Sequence, residues 1–512
     1  MRLRRSPRRA ACWAVAAPVL CSAALLGSPV AAAAAEPSPA FTADALSTWQ
    51  TDGIVWSLAS ANGVVYVGGT FDSVRPAGAA PGEQQVPRHN FAAFDAVTGA
   101  LLPCAVPFTG GAGTVRALKP SPDGRVLYVG GSFSRAGSTG VANAVALDTA
   151  DCALRKDFRP AVSATVRAIE VTDRTVYLGG DFGRIDGQVR RHLAALAPAG
   201  SLLAFRADTD APVRALSAVP SRGKLYAGGD FDTVGGRPAH ALVALDATSG
   251  AAVRTYPGWL PPRSVVKSLA QDGTRFYVAA EGSGDRVFDG RIAGTVADDR
   301  MVWKDTCLGA TQAVLPYRGV LYSASHAHDC SATPGGFPER GDRQHLLAQS
   351  PRDSRILHWF PDTDEGIGEK VGPRALAVER GVLWVGGEFT RVNGVPQQGL
   401  TRFAAGPDTG APQTPVLSVS SARAGQVTLR WRASWDRDDA SLTYLLYRDG
   451  RLVSRQVRSS TFWNRPWMSW TDTVAAGTRH EYRIEVTDGT NTSPRSPALR
   501  VAVPSGPART AG

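Results

Sequence analysis

One phrase recurs along this chain: an aromatic residue, an aliphatic or small residue, two small residues, a polar residue, and often phenylalanine. It stands as Tyr66-Val67-Gly68-Gly69-Thr70-Phe71 and as Tyr128-Val129-Gly130-Gly131-Ser132-Phe133. It returns at Tyr177 to Phe182, Tyr226 to Phe231 and Trp384 to Phe389, with looser copies beginning at Tyr277 and Tyr322. Successive copies are separated by 62, 49, 49, 51, 45 and 62 residues. A fixed period in this range means stacked supersecondary units rather than one continuous core.

Each copy has a partner about ten residues upstream, such as Val115-Arg116-Ala117-Leu118 or Val213-Arg214-Ala215-Leu216. A third run lies downstream, such as Leu242-Val243-Ala244-Leu245-Asp246, and a less regular fourth follows, such as Leu203 to Arg206. These are short β-prone runs bounded by Gly, Asp, Asn or Pro. Four short strands per unit of roughly 50 residues describe the blade of a β-propeller, and seven anchors predict seven blades. The last unit stops at Phe403, one strand short, while Phe41 to Thr48 has no blade of its own. That segment is expected to supply the missing strand and remove the open edge of the ring.

The Tyr-Val-Gly-Gly-x-Phe repeats resemble secreted bacterial propellers, often actinobacterial, over residues 41–406. The resemblance implies a fold and no chemistry, because propellers carry binding and catalytic sites alike. Beyond a Pro/Gly-rich linker at 407–411, alternating runs resemble a fibronectin type III domain over 412–504, with Trp431 and Tyr482 carrying the likeness. The expected fold class is all-β: a seven-bladed propeller over 36–406, then an immunoglobulin-like sandwich. Residues 505–512 are expected to be a disordered tail.

Residues 1–35 open with five arginines, continue through a short apolar stretch and end in alanines, the pattern of a cleaved export signal. The twin-arginine and general routes both stay open. An extracellular, monomeric protein with no membrane span is expected. Without the leader the net charge falls from +11 to +6, and no dense basic run remains, which argues against nucleic acid as a partner. Four cysteines follow the leader. Hairpin pairing about Arg318-Gly319 sets Cys307 opposite Cys330, and Cys104 is expected to bridge to Cys152 in the neighbouring blade.

Comparing the repeats exposes a pairing of charges. The basic residue of the upstream phrase goes with an acid at the fifth position of the anchor: Arg167 with Asp181, Arg214 with Asp230, Lys267 with Glu281, Arg374 with Glu388. Trp56 with Thr70, Arg116 with Ser132 and Gln312 with His326 depart from the pattern. The pairs are read either as structural ion pairs or as a charged rim that holds a ligand. His326 and His328 mark the most deviant unit; two imidazoles do not make a metal site, and none is expected. Trp463 and Trp467 flank a turn-like Asn-Arg-Pro, where they either pack or offer indoles to a sugar ring. Asp362-x-Asp364 and Asp436-x-Asp438 complete no calcium loop and read as solvated. No nucleophile elbow, zinc helix or phosphate loop occurs, and no cofactor is indicated.

The leading functional reading is therefore a secreted, non-catalytic protein that binds an extracellular polysaccharide or cell-wall polymer. The alternatives are a propeller-based polysaccharide hydrolase or lyase and a structural surface protein that binds other proteins. Deleting residues 36–50 is expected to lower the melting temperature sharply, as followed by circular dichroism.

Overall fold

The computed structural model describes residues 37–506. The export-signal expectation for 1–35 and the tail from 507 onward lie outside these residues.

Among the described residues, seven antiparallel meanders follow one another. Their first strands are Ile54–Ala61, Thr114–Pro120, Val166–Val171, Val213–Val219, Ser264–Gln271, Thr311–Tyr317 and Pro373–Glu379. Each of these strands packs on the next, and Pro373–Glu379 packs back on Ile54–Ala61. This closed cycle makes the fold a β-propeller. Four-stranded sheets form in the fourth and fifth units, through Ala252–Thr255 and Met301–Asp305. In the first, second, third and sixth, the outer strand shrinks to single bridges such as Phe94↔Leu101 and Leu147↔Leu154.

The repeated phrase is explained by packing. A Cβ on the first glycine of a pair would collide with the next sheet: Gly130 with Val166 Cγ1 at 2.6 Å, Gly179 with Val213 Cγ1 at 2.7 Å. Glycine is therefore required by space, since the valine occupies the volume a side chain would need. The second glycine lies under a backbone carbonyl of its own sheet's first strand, as Gly131 does under Thr114. The two units with Ala279-Ala280 and Ala324-Ser325 are followed by sheets that carry Thr311 and Pro373 at the valine position. The aromatic that opens the phrase is buried and reaches the following sheet. Tyr128 Oη donates to the Pro198 carbonyl at 3.3 Å and Tyr177 Oη to Ala247 at 2.6 Å. Trp384 Nε1 donates to Ala96 at 3.0 Å, from the seventh sheet to the first.

The N-terminal segment runs beside the last strand of the seventh sheet, Leu400–Ala404. Thr42 N donates to Ala404 O at 3.0 Å and Leu46 N to Arg402 O at 2.9 Å. Phe41 is buried, stacks on Tyr317 and meets Tyr322 at a tilt, both in the sixth sheet. Cys104–Cys152 and Cys307–Cys330 lie at disulfide distance, with Cα separations of 5.6 and 4.0 Å. In the chain-entropy account the two closures, of 48 and 23 residues, are worth about 4 and about 3 kcal/mol.

Residues 418–502 form two further sheets. One holds Ser418–Arg423, Gln426–Arg432 and Trp467–Thr473; the other holds Arg451–Ser459, Ser441–Arg448, Arg479–Thr487 and Leu499–Ala502. Period-two alternation buries Val427, Leu429 and Trp431 against Leu442, Tyr444, Tyr482 and Ile484. Tyr482 Oη donates to the Asp472 carboxylate at 2.8 Å, which Arg448 also holds, so its partner is a side chain. No helix of the described residues is long and apolar enough to cross a membrane.

Gly130→Ala is expected to destabilise the protein by about 1–3 kcal/mol, the usual cost of overpacking a filled core. Gly183→Ala, whose added methyl would meet nothing within 4 Å, is the near-neutral comparison. Urea denaturation midpoints of the two variants check this.

Candidate functional site

Every first strand carries a bulge at the same place. The register slips by one residue at Trp56, Arg116, Arg167, Arg214, Lys267, Gln312 and Arg374 in turn. A bulge re-aims a side chain out of the ladder. Here it collects seven long polar or aromatic residues, one per sheet, at one level of the ring. Trp56, Lys267, Gln312 and Arg374 line a central cavity of about 460 Å³.

The sequence pairs come together. Arg167 holds Asp181 through two bonds of 2.6 and 2.8 Å, and Arg214 Nε holds Asp230 at 2.6 Å. Lys267 Nζ holds Glu281 at 2.6 Å, and Gln312 Nε2 donates to the other oxygen of the same carboxylate at 2.7 Å. Arg374 meets Glu388 at 3.0 Å and Glu369 at 2.8 Å. Glu388 is fully buried and also accepts the Glu369 and Val371 amides. Burial works against the Glu369 anion, but Arg374 outweighs it and holds that carboxyl below its usual range. Trp56 Nε1 donates to Thr70 Oγ1 at 2.9 Å, and its ring lies under two guanidiniums, Arg116 at 3.7 Å and Arg374 at 4.3 Å. Burial, joined by repulsion from Arg167 and Arg374, brings the Arg116 guanidinium down to about 10.

The two histidines part company. His326 Nε2 faces Glu365 at 3.5 Å with its ring 6.1 Å from His345, whereas His328 Nδ1 bonds Glu339 at 2.6 Å. Burial, with His345 and Arg343 adding to it, holds the His326 imidazole below the usual histidine range. His345 is buried, its Nδ1 3.1 Å from Asp362, and its Nε2 is enclosed without a partner.

The indoles also separate. Trp463 turns into the seam between the propeller and the C-terminal sheets, 5.6 Å from Phe337 and 5.3 Å from Phe360. Trp467 is 54 % exposed, with Arg430 and Arg432 over its ring at 5.0 and 4.6 Å. Beside the seam lies a cavity of about 630 Å³, lined from one side by Arg343, Asp364 and Arg391 and from the other by Trp435, Phe462 and Arg465. Period and spacing gave no sign of it, because its walls come from non-repeating chain segments roughly 40 to 120 residues apart.

The sequence reading of Asp436 and Asp438 as solvated is corrected by the structure. Asp436 is buried, capping its own loop through the Asp438 and Asp439 amides. Asp438 Oδ1 accepts the Ala43 amide at 2.7 Å. Asp362 and Asp364 are likewise engaged, by His345 and by the Thr390 and Arg391 amides. The stretch expected as a linker is tied down, since Thr409 N donates to Asp44 at 2.7 Å. Carboxylate oxygens of Asp44, Asp408 and Asp438 lie within 4.8 Å of one another, as do those of Asp408, Asp439 and Asp488. Among the described residues these are the groups close enough to share a cation. Burial, followed by mutual repulsion, raises Asp438 to about 7 and Asp408 to about 6.

No protein-family model matches this chain, and no curated protein sequence does. Among solved structures, a chain of the mitotic checkpoint complex is 15% identical, covering 75% of this chain and 100% of that one at a TM-score of 0.43. Saccharomyces cerevisiae Sqt1 is 9% identical over 72% of this chain and 100% of its own, also at 0.43. Dihydro-heme d1 dehydrogenase NirN is 13% identical, covering 72% and 77%, at 0.36.

A carboxyl whose folded pKa is raised contributes most at acid pH and loses that contribution as pH rises through the folded value. The junction should therefore weaken from about pH 4 to about pH 7. Asp438→Asn is expected to raise stability at pH 8 by about 1–2 kcal/mol, a gain that shrinks towards pH 4. Melting curves at the two pH values check it.

Proposed function

We propose that this protein is a secreted binding scaffold, a seven-bladed propeller closed by its N-terminal segment and joined to a fibronectin type III module. Its ligand is an extracellular polysaccharide or cell-wall polymer, which it holds without cleaving. The observation that carries this reading is the cavity of about 630 Å³ at the seam. It combines the rings of Trp435 and Phe462 with guanidinium and carboxylate groups, the mixture of apolar faces and few convergent polar groups that ligand sites use. The C-terminal module then acts as one wall of the site as well as a spacer.

The carboxylates at the propeller mouth support binding over cleavage. Asp181, Asp230, Glu281 and Glu388 are each held by a fixed cation. Glycoside cleavage uses a pair of carboxyls free to reach the scissile bond, and these four are each committed to a neighbouring cation. The hydrolase or lyase reading draws instead on Asp438 and Asp408, whose raised pKa values suit proton transfer. Asp438 is, however, already engaged by the Ala43 amide beneath the N-terminal segment.

Incubation with a panel of cell-wall and plant polysaccharides, with retention and released products followed in the same tubes, tests both. Retention without oligosaccharide release is expected. Trp435→Ala is expected to weaken retention about tenfold, on the scale of a lost ring contact in a ligand site. Product release that disappears in Asp438→Asn would replace the binding reading with the catalytic one.

A further inference from the structure

We propose that Arg116, with Ser132 and the indole of Trp56, forms an anion-binding subsite at the propeller mouth that takes a carboxylate or sulfate group of an acidic polysaccharide. The choice of polymer rests on the function proposed above; the anion site itself rests on the following geometry.

Arg116 breaks the charge pattern of its own repeat. In four sheets the cation at the bulge faces an acid from the neighbouring strand, and each pair is closed: Arg167–Asp181, Arg214–Asp230, Lys267–Glu281 and Arg374–Glu388. In the second sheet the acid's position is Ser132. Among the described residues Arg116 has no ion pair and no hydrogen bond, and its Nε is buried with no acceptor. Its one direct partner is the face of Trp56 at 3.7 Å. The acids that influence it are committed elsewhere, Glu369 to Arg374 and Asp181 to both bonds of Arg167. A guanidinium carries five donors in a planar fork, and burying them unmatched is costly. A two-oxygen anion would satisfy the fork.

Open space lies next to Trp56 and Ser132. Between the first and second sheets lies a cavity of about 480 Å³, lined by Thr70, Asn90 and the run Gly110-Gly111-Ala112-Gly113. Two residues of the subsite, Trp56 and Ser132, are tied to its walls. Thr70 Oγ1 accepts from Trp56, and Ser132 Oγ accepts the Ala112 amide at 3.3 Å. The glycines present no side chains to a polymer approaching there. Asp52 and Asp72 also line this cavity. A single free cation suits a polymer with spaced charges better than a dense polyanion such as nucleic acid, which needs an array of free cations.

The test compares the purified protein with Arg116→Gln and Ser132→Asp. Both substitutions have precedent in this ring, because Gln312 occupies the bulge of the sixth sheet and Asp181 the acid position of the third. Lys156→Gln, at an exposed site, controls for charge alone. The probes are polygalacturonate for carboxylate, dextran sulfate for sulfate and dextran as the neutral polymer, titrated at fixed ionic strength. One acidic polymer is expected to bind at least tenfold more tightly than dextran, and the better arm identifies the anion. Both mouth variants are expected to lose about tenfold or more, as for a charged hydrogen bond, with Lys156→Gln unchanged. Acidic binding retained in both variants, or lost equally in Lys156→Gln, overturns the subsite. Equal binding of dextran, unaffected by Arg116→Gln, also overturns it while leaving the scaffold function standing. If no polymer binds, the polysaccharide function falls, and sodium sulfate against sodium chloride at matched ionic strength decides the subsite alone. A sulfate-dependent rise in melting temperature that vanishes in Arg116→Gln supports it; the same rise in both proteins overturns it.

Discussion

The ring depends on a steric fit repeated between neighbours. At five of the seven junctions a valine from the incoming sheet enters the space vacated by a glycine of the sheet before it, and the same fit closes the cycle where Val55 meets Gly386. Dispersion falls away steeply with distance, so the fit works only if sheets approach to within a side chain's width. The bulge follows from the same geometry. The second glycine admits a carbonyl of the bulged strand, and the slipped residue is turned out of the ladder. Packing and function are thereby joined, since the phrase that lets the sheets pack also delivers one side chain per sheet to the mouth.

Once delivered, these side chains are not equivalent. Four cations are closed by acids, Gln312 shares an acid with Lys267, and Trp56 lies beneath Arg116 and Arg374. Buried ion pairs contribute little net stability because desolvation offsets attraction, yet removing one partner strands a charge. Such pairs fix the shape of the mouth more than they hold the fold together.

Much of this was legible from residue spacing alone. Period and punctuation gave the strands, and aligning the repeats gave the four ion pairs at residue level, because equivalent positions in a repeat share one geometry. The Cys307–Cys330 pairing followed from hairpin register, which held through Tyr317↔Val320 and returned at Leu308↔Asp329 after the bulge at Gln312. The seam was not legible. Trp463, Phe337 and Phe360 meet across more than 100 residues, and Asp44 meets Asp408 and Asp438 across more than 360. No periodicity links segments that occur once. The acidic pairs looked solvated because composition does not reveal which loop will be covered by another.

The attachment of the N-terminal segment also has a kinetic meaning. Thr42 bonds Ala404 across 362 residues and Ala43 bonds Asp438 across 395, while strands within a sheet meet across far fewer. Local sheets can form as the chain emerges, but contacts of such span must wait until both ends exist. For most of its synthesis the chain is thus an open row of sheets with two unpaired edges, the state in which edge-to-edge association with other copies competes with folding. The few residues from Phe41 to Leu46 decide how long that exposure lasts.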